Sequence, residues 1–110
     1  MTKILGIDPG SIKTGYGIIE SKGNHTKHIE NGVIKVKGET LAEKLKIINI
    51  QITAIIKKFQ PDEIAIEKVF MHRNADSALK LGQARGAAIT ACAMNEIALF
   101  EYSANQVKQA

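Results

Sequence analysis

Residues 40–61, TLAEKLKIINIQITAIIKKFQP, constrain the fold more than any other stretch of the sequence. Thr40-Leu41-Ala42-Glu43 has the form of a capping box, in which a threonine hydroxyl and a glutamate carboxylate satisfy free backbone N–H groups at a helix start. Leu41, Leu45, Ile48, Ile52, Ile55, Ile56 and Phe59 then recur on one helical face, and Pro61 ends the helix. One apolar face of that length needs a layer to bury against. The flanking sequence supplies it. Residues 4–8, 14–21 and 27–37 are β-compatible, with Lys22-Gly23-Asn24 as turn chemistry between the last two, so an antiparallel meander precedes the helix. Residues 63–67, EIAIE, read as a buried strand. Residues 75–96 read as a long helix started by Asn74 or Asp76, and residues 97–102 as a fifth strand. Strands first and helices later indicate an α/β chain with a mixed five-stranded sheet flanked by helices. At 110 residues and 45% hydrophobic content, one domain spanning the chain is expected.

The charge balance is 15 Lys+Arg against 11 Asp+Glu, which favours an anionic partner. Cys92 is the only cysteine, so an intramolecular disulfide is excluded and a reducing compartment is expected. A lone helical cysteine reads as a small buried hydrophobe. Lys3 and Asp8 interrupt the N-terminal apolar run, and residues 86–94 are too short an apolar stretch to span a bilayer. A soluble, cytoplasmic protein without membrane contact is therefore expected. His25 and His28 fall on opposite faces of a strand, which argues against a zinc pair.

Two strands share an unusual ending. LGID and IAIE are apolar runs that each stop on a carboxylate, Asp8 and Glu67, and alternation places Gly6 beside the first and Ala65 beside the second. If these strands are parallel neighbours, both acids stand at carboxyl ends, where open α/β sheets bind ligands. Two hard oxygen donors suit Mg²⁺, which would offset the cost of burying Asp8. Pro9-Gly10 and the later glycines suggest that a ligand approaches the backbone here. Equally, Asp8 can open an Asx turn and Glu67 can pair with Lys68 or Arg73.

The stretches ILGIDPGSIKTGYGII, AIEKVFMHRNADSALKLGQARGAAI and FEYSANQVKQ, in this order, resemble the bacterial RuvC Holliday-junction resolvases, the crossover-junction endodeoxyribonucleases. The resemblance covers essentially the whole chain. It implies an RNase H-like fold, a homodimer working with a branch-migration motor complex, and Mg²⁺-dependent symmetrical nicking of two strands of a four-way DNA junction. By matching position it makes Asp8 and Glu67 catalytic metal ligands. Phe70 becomes an aromatic placed against bases, and Lys108 a basic residue near the scissile phosphate. The helix over residues 75–94 becomes the dimer-forming element, with Ala78, Gly82 and Gly86 at its contact.

It also implies a segment beyond residue 110 carrying a further pair of metal ligands, so these 110 residues read as either a fragment or a naturally shortened member, with at most weak Mg²⁺ binding expected. Lys13, Asn74, Lys80, Arg85 and Arg73, with Lys68 and His72, are candidate DNA contacts; solvated surface charge is the bland alternative for the basic ones. On apolar context alone Phe70 is a core residue, and the small residues of the second helix can equally pack on the chain's own sheet. Two rival functions stand beside the nuclease: a non-catalytic branched-DNA-binding or dimerisation module, and a phosphate-binding lobe like those of the actin-like ATPases.

Overall fold

The structure, a computed structural model, describes residues 1–68 and 74–102. Phe70, Arg73 and Lys108, with Val69, Met71 and His72, lie outside the described residues. Five strands and two helices follow in the order β1 (Thr2–Asp8), β2 (Lys13–Lys22), β3 (His25–Lys35), α1 (Leu41–Phe59), β4 (Glu63–Glu67), α2 (Ala75–Met94) and β5 (Ala98–Tyr102). The sheet order is β3-β2-β1-β4-β5. β1, β2 and β3 form the antiparallel meander, while β4 runs parallel to both β1 and β5.

Alternation divides the strands into two faces. Leu5, Ile7, Ile18, Ile34, Ile64 and Ile66 are buried on one, where they pack with Ile48, Ile52, Ile55 and Ile56 of α1 and Ala84, Ala88, Ala91 and Cys92 of α2. Both helices therefore cover the same side of the sheet. The three buried alanines let α2 come close without carrying bulk into a core already filled by isoleucine. Burial pushes the Cys92 thiol up to about 11, so it stays protonated and behaves as an apolar filler.

The ends of the elements follow local chemistry. Thr40 Oγ1 accepts from the Glu43 N–H at 3.1 Å, and the Glu43 carboxylate reaches back to the Glu39 N–H at 2.9 Å, one residue before the donor of a standard capping box. Gln60 adopts the left-handed conformation (φ 49°) that closes α1. Lys3 then pins the connection: its N–H donates to Asp62 Oδ2 at 2.8 Å, its Nζ donates to the Phe59 carbonyl at 2.9 Å, and its own carbonyl accepts from the Asp62 N–H at 2.8 Å. These bonds set the register of β4 against β1. Asn74 caps α2, accepting from the N–H groups of Asp76 and Ser77.

Three expectations need correction. β3 stops at Lys35 rather than residue 37, and α2 stops at Met94 because Asn95 caps it and Glu96 turns to φ 57°. Leu41, read as part of the buried face of α1, is half exposed.

Candidate active site at the carboxyl ends of β1 and β4

The parallel pairing of β1 and β4 runs from Ile4 opposite Glu63 to Ile7 opposite Ile66, so the next residues in register are Asp8 and Glu67. β1 and β4 are hydrogen-bonded neighbours, so the two acids stand one after the last paired residues of adjacent strands. The same row continues outward: Gly15 pairs with Asp8, Val33 with Gly15, and Tyr102 with Glu67. The row behind it is Asn31, Gly17, Gly6, Ala65 and Phe100. Both rows lie on the face opposite the helices. The small residues around Asp8 leave a shallow depression of about 380 Å³ that Asp8, Gly6, Gly15, Gly17, Asn31 and Tyr102 help to line.

Asp8 is exposed and Glu67 is half-buried. The expectation that Asp8 pays a burial cost is therefore wrong: among the described residues no layer covers this face, and its strand neighbour is a glycine. Neither carboxylate has an ion-pair partner among the described residues. Nor does Asp8 open an Asx turn. The loop after it is closed by Thr14, whose buried hydroxyl donates to the Gly10 carbonyl at 3.1 Å and accepts from the Gly10 N–H at 3.3 Å. A Cβ on Gly10 would lie 2.1 Å from the Lys13 carbonyl oxygen, so this glycine serves the loop's own closure and needs no ligand to explain it.

The donor set fits a divalent cation of the magnesium type. Two hard anionic oxygens project from adjacent strands on one exposed face, and the neighbouring glycines leave room for the waters that Mg²⁺ retains. No cluster of three or more His, Cys, Asp or Glu that could hold a metal occurs among the described residues. Two carboxylates alone would leave most of such an ion's coordination to water.

Tyr102 reports on both acids. Partial burial, then the charges of Glu67 and Asp8, raise its phenol above the ordinary tyrosine value. Asp8→Asn or Glu67→Gln should each lower the Tyr102 pKa, read from phenolate absorbance in a Tyr16→Phe background. An unchanged pKa in both variants would mean that the carboxylates do not converge beside it.

The remaining sequence candidates separate. Lys13 pairs with Lys35 across the meander, two residues from the Gly15–Val33 pair and so on the same face as Asp8. Sequence reasoning missed Lys35 and Tyr102, which strand register alone brings to the site. Asn74 spends its side-chain oxygen on the α2 cap. Lys80 belongs to the helix side, paired with Asp76 at 3.2 Å, both exposed. Arg85 is turned inward: Nε donates to the Glu67 carbonyl at 3.1 Å, and the guanidinium pairs with Glu101. Gly82 and Gly86 are exposed with open space around them, so they do not pack on the chain's own sheet. Ala78 is half-buried on the same helix.

The family model described as crossover junction endodeoxyribonuclease RuvC matches residues 4–110. The chain belongs to the RuvC family. Among its RuvC relatives, the crossover junction endodeoxyribonuclease of Hahella chejuensis is 56% identical over 109 residues, covering 99% of this chain and 63% of the relative. That of Psychromonas ingrahamii is 56% identical over 110 residues, covering 100% and 64%. The chain therefore spans less than two thirds of the length of these curated RuvC relatives. The solved structure of T. thermophilus RuvC in complex with a Holliday junction substrate superposes with a TM-score of 0.89 at 26% identity, covering 99% of this chain and 69% of that one. The mixed sheet and its helices match that RuvC, RNase H-like fold.

Proposed function

We propose that these 110 residues form the metal-bearing half of a junction-selective endonuclease that hydrolyses phosphodiesters with Mg²⁺. The observation that carries this reading is the in-register placement of Asp8 and Glu67 on one open face, within a chain of the RuvC family. Asp8 and Glu67 would hold the ion. Held there, it would supply Lewis-acid activation of an attacking water and stabilisation of the leaving oxygen. A second ion needs more negative charge than two carboxylates provide, so full activity draws on ligands outside the described residues.

The chain's own groups contribute around that centre. Gly6, Gly15, Gly17 and Ala65 keep the sheet face low enough for a sugar-phosphate backbone to approach. Lys13 and Lys35 stand beside the acids on the same face, where they offset phosphate charge and make binding fall steeply with salt. The Tyr102 phenol stays protonated and can donate to a phosphate oxygen. Phe70, Arg73 and Lys108 remain proposed DNA contacts by family resemblance.

The exposed Gly82 and Gly86, with Leu79 and Met94 exposed by 60% and 75%, give α2 an outer face suited to a second copy. A four-way junction has two equivalent strands to cut, which a two-fold dimer matches. No described helix is long and apolar enough to cross a membrane.

The test is Mg²⁺-dependent nicking of a four-way DNA junction by this chain extended to the length of its relatives, with binding of the 110 residues measured beside it. Preference for the junction over linear duplex and paired, symmetrical nicks are expected. Equal affinity for both DNAs together with no metal-dependent nicking would refute the proposal.

A further inference from the structure

Arg85 is the least expected occupant of the region beneath the site. It leaves α2 on the helix-covered side of the sheet, with 17% of its side chain exposed, and ends at the last peptide of β4. There its Nε–H donates to the Glu67 carbonyl at 3.1 Å, while a terminal nitrogen donates to Glu101 Oε1. Glu101 pairs with Ile66 in the β4–β5 ladder, so its side chain lies on the helix side, and that of Glu67 lies on the open side. The last rung of the ladder is the Lys68 N–H, which donates to the Tyr102 carbonyl at 2.7 Å. Among the described residues it is the end of the ladder. A strand-terminal carbonyl without a donor frays, and the side chain on that residue frays with it.

We propose that Arg85 is a positioning residue for the metal site: anchored on Glu101, it holds the final peptide of β4 and so fixes the direction in which the Glu67 carboxylate leaves the sheet. The inference rests on Asp8 and Glu67 forming a divalent-cation site. The Arg85 hydrogen bond and charge lower the Glu101 carboxyl from its ordinary value. A guanidinium suits this task because its planar fork serves two acceptors at once, which an ammonium at the end of a flexible chain does less well. The role also explains why an arginine sits beneath two acids without pairing with either carboxylate.

The sign of the effect separates positioning from simple electrostatics. Removing a cation near two carboxylates should tighten binding of a divalent ion, whereas loss of positioning should weaken it. The test adds Mn²⁺ to the 110-residue chain and follows paramagnetic broadening of the backbone amides of Ile7, Asp8 and Glu67. In Arg85→Met the Mn²⁺ dissociation constant should rise about tenfold, the lower end of what outer partners of metal ligands contribute. The Lys68 amide should also exchange faster with solvent, while the Ile4 amide, at the far end of β1, keeps its rate. Arg85→Lys should recover only part of the loss. Glu101→Gln, a change at a half-exposed position, should weaken Mn²⁺ in the same direction and carries the test if Arg85→Met fails to fold.

Unchanged or tighter Mn²⁺ binding in a folded Arg85→Met or Glu101→Gln chain would overturn the positioning role and leave the metal site standing. Failure of the unsubstituted chain to broaden at Asp8 and Glu67 would remove the metal site itself, and the positioning role with it.

Discussion

Asp8→Asn should reduce junction nicking by about 10³-fold while leaving junction binding and the fold intact. Losing a carboxylate ligand removes several kcal/mol of charge stabilisation at the metal, and about 4 kcal/mol corresponds to three powers of ten in rate. The amide is nearly the same size, so the glycine-lined surface around it is preserved. Asp8 is exposed and holds no ion pair among the described residues, which keeps the stability change within about 0.5 kcal/mol. Relief of repulsion from Glu67, one strand away, favours the variant slightly. The check is the Mg²⁺-dependent nicking rate of the chain extended to its relatives' length, with junction affinity and urea midpoint measured on the same preparation. A variant that nicks at the parent rate would remove Asp8 from the metal site; one that loses activity and fold together would make it a structural residue.

Ile66→Ala should have the largest effect on stability. Ile66 is fully buried in β4, between β1 and β5, directly before Glu67. Truncating a core isoleucine costs about 2–5 kcal/mol, because the lost transfer energy is joined by an unfilled cavity. Domains of this size hold about 5–15 kcal/mol in total, so the variant stays folded only narrowly. With a urea dependence of about 1–3 kcal/mol per molar, the midpoint should fall by about 0.7 M or more. A fall of less than half that would mean that α2, whose inner face is mostly alanine, can move in to fill the space.

Much of the fold was legible because its signals are local. The capping box at Thr40, the isoleucine face of α1 and the Pro61 stop are written within single turns. The alternation in LGID and IAIE separated core residues from carboxylates. The parallel pairing of β1 with β4, which brings Asp8 and Glu67 together, entered the sequence reading only as a condition and is supplied by the structure. What could not be read is non-local. Whether Asp8 is buried depends on which side of the sheet the helices choose, and α1 and α2 both chose the other. Tyr102 and Lys35 enter the site through register with residues 35 and 22 positions away, Glu67 and Lys13.

Charge alone also says nothing about direction. Lys13, Lys80 and Arg85 look alike in sequence, yet only Lys13 shares a face with the acids. Lys80 is paired along its helix, and Arg85 is turned beneath the sheet. Glycine spacing was similarly ambiguous: Gly10 closes a loop on the Lys13 carbonyl, while Gly82 and Gly86 look out into open space.

The most direct measurement is the anomalous scattering of crystals of the chain soaked in Mn²⁺. The account predicts a peak bridging the Asp8 and Glu67 carboxylates on the open face of the sheet, absent from Asp8→Asn crystals. A peak elsewhere that survives the substitution, with none between these two side chains, would contradict it.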